Sequence, residues 1–310
     1  MSTLELFALA SAAVMLPAQQ STRLAGPTSG WLFDAPSRAI RVVMGVPGAA
    51  YLGDAVAGDL DNGSVSPDHR LAVTMSAGAA SLLNMADSST VSLGEGCEGA
   101  VAWAADSAAV ALGCRDGVQL YRLSKGRAER AELTGFRGAN ALAVDLSGHV
   151  FAAGSDGIYR LDAESGRLLA SIDASSLALF GSTLYAVDRS GGQVVALDNL
   201  TGSGALRVVA GTGQGLEDPS AVGISADGAR LFVVERESKR LKVFNPATSE
   251  LLSTLELDFP AGRVDSLGNS LFLLNSRKEA SDIVQVLDAR QLAVYFIPAP
   301  DLGSVAQLED

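Results

Sequence analysis

The chain alternates short apolar runs with clusters of Gly, Asp, Asn and Ser. Ala141 to Asp173, ALAVDLSGHVFAAGSDGIYRLDAESGRLLASID, contains four such runs: ALAV, VFAAG, GIYRL and LLASI. Each is the length of a strand, and each gap carries turn residues. Beyond the N-terminal leader, no stretch holds apolar residues at helical spacing over about twelve positions. The pattern therefore predicts strands joined by turns, and it excludes parallel α/β folds.

The same order recurs along the chain: an apolar strand, a polar turn, a second strand, a Gly/Asp loop, a third strand often ending in Leu-Asp, then a fourth. The first-to-second hairpins are NGSVSPDHRLAVTM, GAVAWAADSAAVALG, ALAVDLSGHVFAAG, LALFGSTLYAVD, AVGISADGARLFVVE and RVDSLGNSLFLLN. Leu71 recurs as Val110, Val150, Leu184, Leu231 and Leu271, at spacings of 39, 40, 34, 47 and 40. A repeat near forty residues with four strands is the unit of a β-propeller blade. Pro67-Asp68, Ser147-Gly148, Asp227-Gly228 and Gly268-Asn269 supply turn chemistry between first and second strands. The expected fold is all-β, a propeller of four-stranded blades forming one domain over residues 19–310.

Six first and second strands face seven third and fourth strands. The surplus pair is Trp31–Asp34, read as a third strand, and Ala39–Met44, read as a fourth. An unpaired hairpin exposes its edges. Seven blades are expected, with the ring closed by both chain ends in one blade: Arg23–Ala25 as its second strand and the tail 303–308 as its first. Six blades with the front hairpin outside is the alternative.

The repeats resemble those of NHL- and YVTN-type propellers. Gly215 to Asn245, GLEDPSAVGISADGARLFVVERESKRLKVFN, is the closest stretch, and Val209-Ala210-Gly211-Thr212-Gly213 precedes it. Matching residues include Pro219, Val222, Gly223, Gly228, Leu231, Val233, Arg240, Val243 and Phe244. Glu235 stands where the family commonly has Asp, and Ser238 near its usual Asn. The leader and GWLFDAPSRAIRVVMGVPGAAYLG also resemble uncharacterised exported bacterial propellers. The resemblance implies a fold and no shared chemistry.

Leu6 to Leu16 is an uncharged apolar run followed by Pro17-Ala18, which reads as a secretory signal cleaved after Ala18. Its start departs from that pattern, with Glu5 and no Lys or Arg, so an upstream start or an ordinary buried segment stays open. The expectation is a periplasmic or secreted protein with no membrane span in the mature chain, acting as a monomer. The two cysteines, Cys97 and Cys114, flank one hairpin. If Asp106-Ser107 is its turn, Cys114 sits opposite Gly99, near enough to Cys97 for a disulfide if the strand bends. Two reduced thiols are the alternative.

The formal net charge is −12, and no Lys/Arg cluster forms a basic stripe, which argues against nucleic acid as a partner. His69 and His149 fall in turns two blades apart, so they do not share an ion. No G-x-S-x-G elbow occurs, and Gly211–Gly215 lacks the Lys-Ser/Thr of a phosphate loop. Glu98, Asn140, Asp218 and Asp265 lie in loops entering innermost strands and could hold Ca²⁺ at a channel mouth. The alternative is that these groups serve their own turns, and the ligand pattern of lactonase-type propellers does not recur. Trp31 is a candidate stacking surface. The loops 235–240 and 276–282 on neighbouring blades carry Arg236, Lys239, Arg240, Arg277 and Lys278, a contact patch for a partner or anionic ligand. The expected function is a non-enzymatic exported scaffold that binds a protein or envelope ligand and needs no cofactor. The competing reading is a lactonase- or hydrolase-like enzyme with a divalent metal.

Overall fold

Strand burial runs in a gradient that follows residue type. Second strands such as Val150–Ala153 and Leu231–Glu235 are buried at every position, while fourth strands such as Leu251–Glu256 are mostly exposed. A strand covered on both faces reads as a continuous apolar run. A computed structural model describes residues 27–298, apart from 125, 126, 132, 134, 164, 203, 269 and 276–282. Within them lie seven antiparallel sheets, at 28–57, 62–95, 97–131, 141–170, 174–210, 219–256 and 265–297. Six have four strands, and three strands of the first are described. The helical element among the described residues is one short turn, Thr212–Gln214.

Seven apolar clusters hold the sheets in a ring, one at each seam. Ile40, Leu60, Ala72 and Leu83 join blades 1 and 2, and the clusters around Val110, Ala111, Phe151, Val233 and Phe232 continue round the ring. Leu32, Val43 and Leu52 meet Leu267, Leu271 and Val286, closing blade 7 on blade 1. Fully burying one such aliphatic side chain contributes about 1.5–3 kcal/mol. Polar bonds also cross the seams: Trp103 Nε1 donates to Ser64 Oγ at 3.0 Å, and the Val222 amide to Ser176 Oγ at 3.2 Å.

The positions equivalent to Leu71 all lie in second strands. The turns before four of them share one geometry. The amides of His69, Ser107, Gly148 and Gly228 bond back three residues at 2.8–3.0 Å, and all four residues have φ between 61° and 80°. Gly fills two of these left-handed positions without strain. His69 gains a further bond, its Nε2 donating to the Leu267 carbonyl at 3.0 Å, which ties blade 2 to blade 7.

The front of the chain departs from expectation in rank. Thr28–Asp34 is the second strand of its blade, Ala39–Met44 the third and Tyr51–Ala57 the fourth. The turn 35–38 shows why. Arg38 Nε donates to the Leu60 carbonyl at 3.1 Å and Arg38 Nη2 to Asp61 Oδ1 at 2.8 Å, so this turn lies on the face where chains cross between blades. In the other blades, second-to-third turns occupy that face. Asp34 also matches Asp188 and Glu235: each is a buried acid ending a second strand, five residues before the third strand starts. The second-strand place is thus held by Thr28–Asp34 rather than by Arg23–Ala25. Segments 23–25 and 303–308, like the leader, lie outside the described residues.

Candidate functional site

Two kinds of loop share one face of the ring: those crossing from a fourth strand to the next blade, and those joining second to third strands. Above blade 6 they meet in a dense polar corner. Glu235, 0% exposed, ends the strand Leu231–Glu235, and Lys242, 5% exposed, lies in Arg240–Phe244. Glu235 Oε1 accepts from Lys242 Nζ at 3.1 Å and from the Glu217 amide at 2.6 Å. Lys242 Nζ also donates to the Gly215 carbonyl. Asp218 Oδ2 accepts from the Glu237 amide at 2.5 Å, and Ser238 Oγ lies 3.1 Å from Asp218 Oδ1. A buried charge is tolerated when paired and hydrogen-bonded. Here the pair fastens the crossing loop 211–218 to the sheet beneath.

Asp188, the equivalent acid of blade 5, works alike. Burial alone would push its carboxyl up, but bonds from Gln193, Ser190 and the Gly191 amide outweigh it and hold the carboxyl below its ordinary value. Arg189 beside it pairs with Asp173 at 2.6 Å.

Arg236 and Lys239 are exposed on the loop above this corner, and neither side chain makes a hydrogen bond or ion pair with the described residues. Arg240 does not belong with them. It is held by Glu256 at 3.1 Å and Glu217 at 3.7 Å. Arg277 and Lys278 lie outside the described residues. Trp31 is half-buried and packs against the cluster of Ile40, Leu60, Ala72 and Leu83.

The four acidic and amide candidates sit on four blades and have local surroundings. Asp218 serves the blade-6 corner. Asp265 pairs with Arg263. Asn140 Nδ2 reaches the Ala174 carbonyl at 3.4 Å, and Glu98 is exposed beside the turn 77–78. Among the described residues, no three His, Cys, Asp or Glu side chains gather as a metal site. His149 Nδ1 lies 2.7 Å from Asp145 Oδ2 within its own turn.

Between blades 3 and 4 the same face opens. Val101, Ala102 and Trp103 pair with Leu112, Ala111 and Val110 in the register the turn predicts. Three residues, Glu98 to Ala100, then oppose Gly113 alone, so Cys97 pairs with Cys114. Their sulfurs are bonded. This bulge replaces the simple register, which would have set Gly99 across from Cys114. It is tight as well as wide, since a Cβ on Gly99 would lie 2.8 Å from the Gly113 oxygen. A cavity of about 270 Å³ lies beside it, walled by Glu98, Cys114, Arg115, Val118 and Phe136. Arg115 and Phe136 carry no motif in the sequence. The glycine-rich stretch Gly135–Asn140 was the signal that a loop there leaves room.

No protein-family model and no curated protein matches the sequence. Solved structures do match it. The chain is similar to the computationally designed Ika8 protein, at 17% identity and TM-score 0.58, over 84% of this chain and 81% of that one. It is also similar to the β-propeller domain of Cps50 (Swd1) from Myceliophteria thermophila, at 16% identity and TM-score 0.56, over 81% of this chain and 94% of that one. The fold is a seven-bladed β-propeller. At such identities the likeness is one of architecture. Among the described residues, no helix is long and apolar enough to cross a membrane.

Proposed function

We propose that this propeller is a non-enzymatic binding scaffold of the exported NHL/YVTN type, and that it meets an anionic partner through the loops above blades 6 and 7. The observation that carries the reading is the state of Arg236 and Lys239: exposed cations without partners among the described residues, on a chain of net charge −12. Elsewhere on this face, Arg38, Arg189 and Arg240 are neutralised by their own neighbours. A cation left free costs nothing in water and becomes useful when a complementary charge arrives, raising the association rate and setting orientation. Arg277 and Lys278 lie outside the described residues; in sequence they fall between the second and third strands of the next blade, and the test includes them. The disulfide fits an oxidising compartment.

The test is affinity capture from an envelope extract with the wild-type chain and an Arg236→Ala/Lys239→Ala/Arg277→Ala/Lys278→Ala variant. The wild type should retain a partner at low salt and release it as salt rises, and the variant should retain about tenfold less. Equal capture by both removes this surface from consideration.

A further inference from the structure

The cavity between blades 3 and 4 is framed by two opposite charges that ignore each other. Arg115 follows the disulfide in the second-to-third turn, and Glu98 lies in the bulge of Cys97–Trp103; both line the cavity. Both are exposed, and neither makes an ion pair or side-chain hydrogen bond with the described residues. Yet charges of opposite sign sharing so small a space ordinarily close on one another unless the backbone holds them apart. Three backbone constraints fix where the two residues sit. The disulfide pins Cys97 opposite Cys114, the Glu98–Ala100 bulge projects beyond it, and Arg115 is anchored by its own amide to the Gly96 carbonyl at 2.7 Å.

The remaining wall is apolar and propped. Phe136 is half-buried, with its ring 5.1 Å from that of Tyr159. A Cβ at Gly154 would approach the Phe136 ring at 3.3 Å, so any larger residue there would crowd the ring. Tyr159 is in turn fixed by its hydroxyl, which donates to Asp156 Oδ2 at 3.0 Å. Val118 closes the floor beside Cys114. At about 270 Å³ the space lies just under the ~300–1,000 Å³ of sites for drug-sized ligands.

We propose that this cavity binds a small zwitterion with an apolar body, of the class of free apolar amino acids. The Arg115 guanidinium takes the carboxylate, for which its planar fork is suited. Glu98 takes the ammonium, and Phe136 with Val118 covers the side chain. The site is separate from the patch above blades 6 and 7, and it stands or falls independently.

Calorimetric titration of the full chain tests it, using L-phenylalanine and L-leucine as probes. Phenylalaninamide, which lacks the carboxylate, and N-acetylphenylalanine, which lacks the ammonium, are the controls. Both amino acids should bind saturably, and each control about tenfold or more weaker. Arg115→Ala should erase the discrimination against the amide, and Glu98→Gln that against the N-acetyl compound. Both positions are exposed, so the variants should melt with the wild type. Absence of saturable binding up to ~10 mM probe overturns the proposal. So does binding that neither variant changes.

Discussion

At the corner above blade 6, Glu235 and Lys242 are buried and paired with each other and with the crossing loop, while Arg236 and Lys239 stand exposed above them. Above blades 3 and 4, built from the same two kinds of loop, Glu98 and Arg115 stand exposed around a cavity, with no ion pair to any described residue. The difference comes from the backbone. In blade 6 the crossing loop 211–218 folds down over the sheet, and its amides and carbonyls find the buried pair. In blade 3 the chain enters its innermost strand through a bulge clamped by a disulfide, and Glu98 in that bulge is exposed. In blade 6 the buried pair holds the ring; beside blade 3 both charges of the cavity lining are exposed.

The largest effect should come from removing one member of the buried pair. Lys242→Ala leaves Glu235 buried without its cation and should cost about 3–5 kcal/mol in urea unfolding. The double variant Glu235→Gln/Lys242→Met should recover most of that loss, because no charge is then stranded. A single-variant loss below about 1 kcal/mol would mean that the pair is not what secures the loop.

Opening the disulfide comes next. Sixteen residues lie between Cys97 and Cys114, and closing a loop of that size stabilises by about 3 kcal/mol. Cys97→Ala/Cys114→Ala should lose about that much in the same assay and should also free the bulge beside the cavity. If stability is unchanged, the clamp is not what separates this corner from the other.

The smallest effects sharpen the contrast. Arg240→Ala breaks exposed ion pairs and should cost about 0.5 kcal/mol, with the loss shrinking as salt is added. Arg115→Ala should cost less and show no salt dependence, since nothing is broken. A salt-sensitive loss at Arg115 would show that it is paired in solution and would abolish the distinction.

Much of the architecture was legible because a blade is a local object. The spacing from Leu71 to Leu271 and the turn residues at Pro67-Asp68, Ser147-Gly148 and Asp227-Gly228 depend only on neighbours in sequence. They located six of the seven second strands, and the surplus strand pair at the front pointed to the seventh blade. The rank of Trp31–Asp34 is not legible for the opposite reason: WLFD is consistent with a second or a third strand. The choice rests on Arg38 meeting Leu60 and Asp61, residues over twenty positions away. The site is less legible. Lys242 is one of four lysines in the chain, yet nothing local distinguishes it from Lys239, which is exposed. Its burial follows from the Gly215 carbonyl and Glu235 converging above it. The turn at Asp106-Ser107 set the register near Val110, but the two-residue slip that joins Cys97 to Cys114 arises farther along, where glycines at 99 and 113 let the strands crowd together.

What the sequence determined by itself is the repeating strand unit, its number and its turns, since apolar alternation and left-handed turn positions act over a few residues. The tertiary structure alone decided which charges are buried, which are neutralised and which stay free. That outcome depends on how loops from adjacent blades stack on one face, because desolvation and pairing are properties of a place in the ring and not of a residue type.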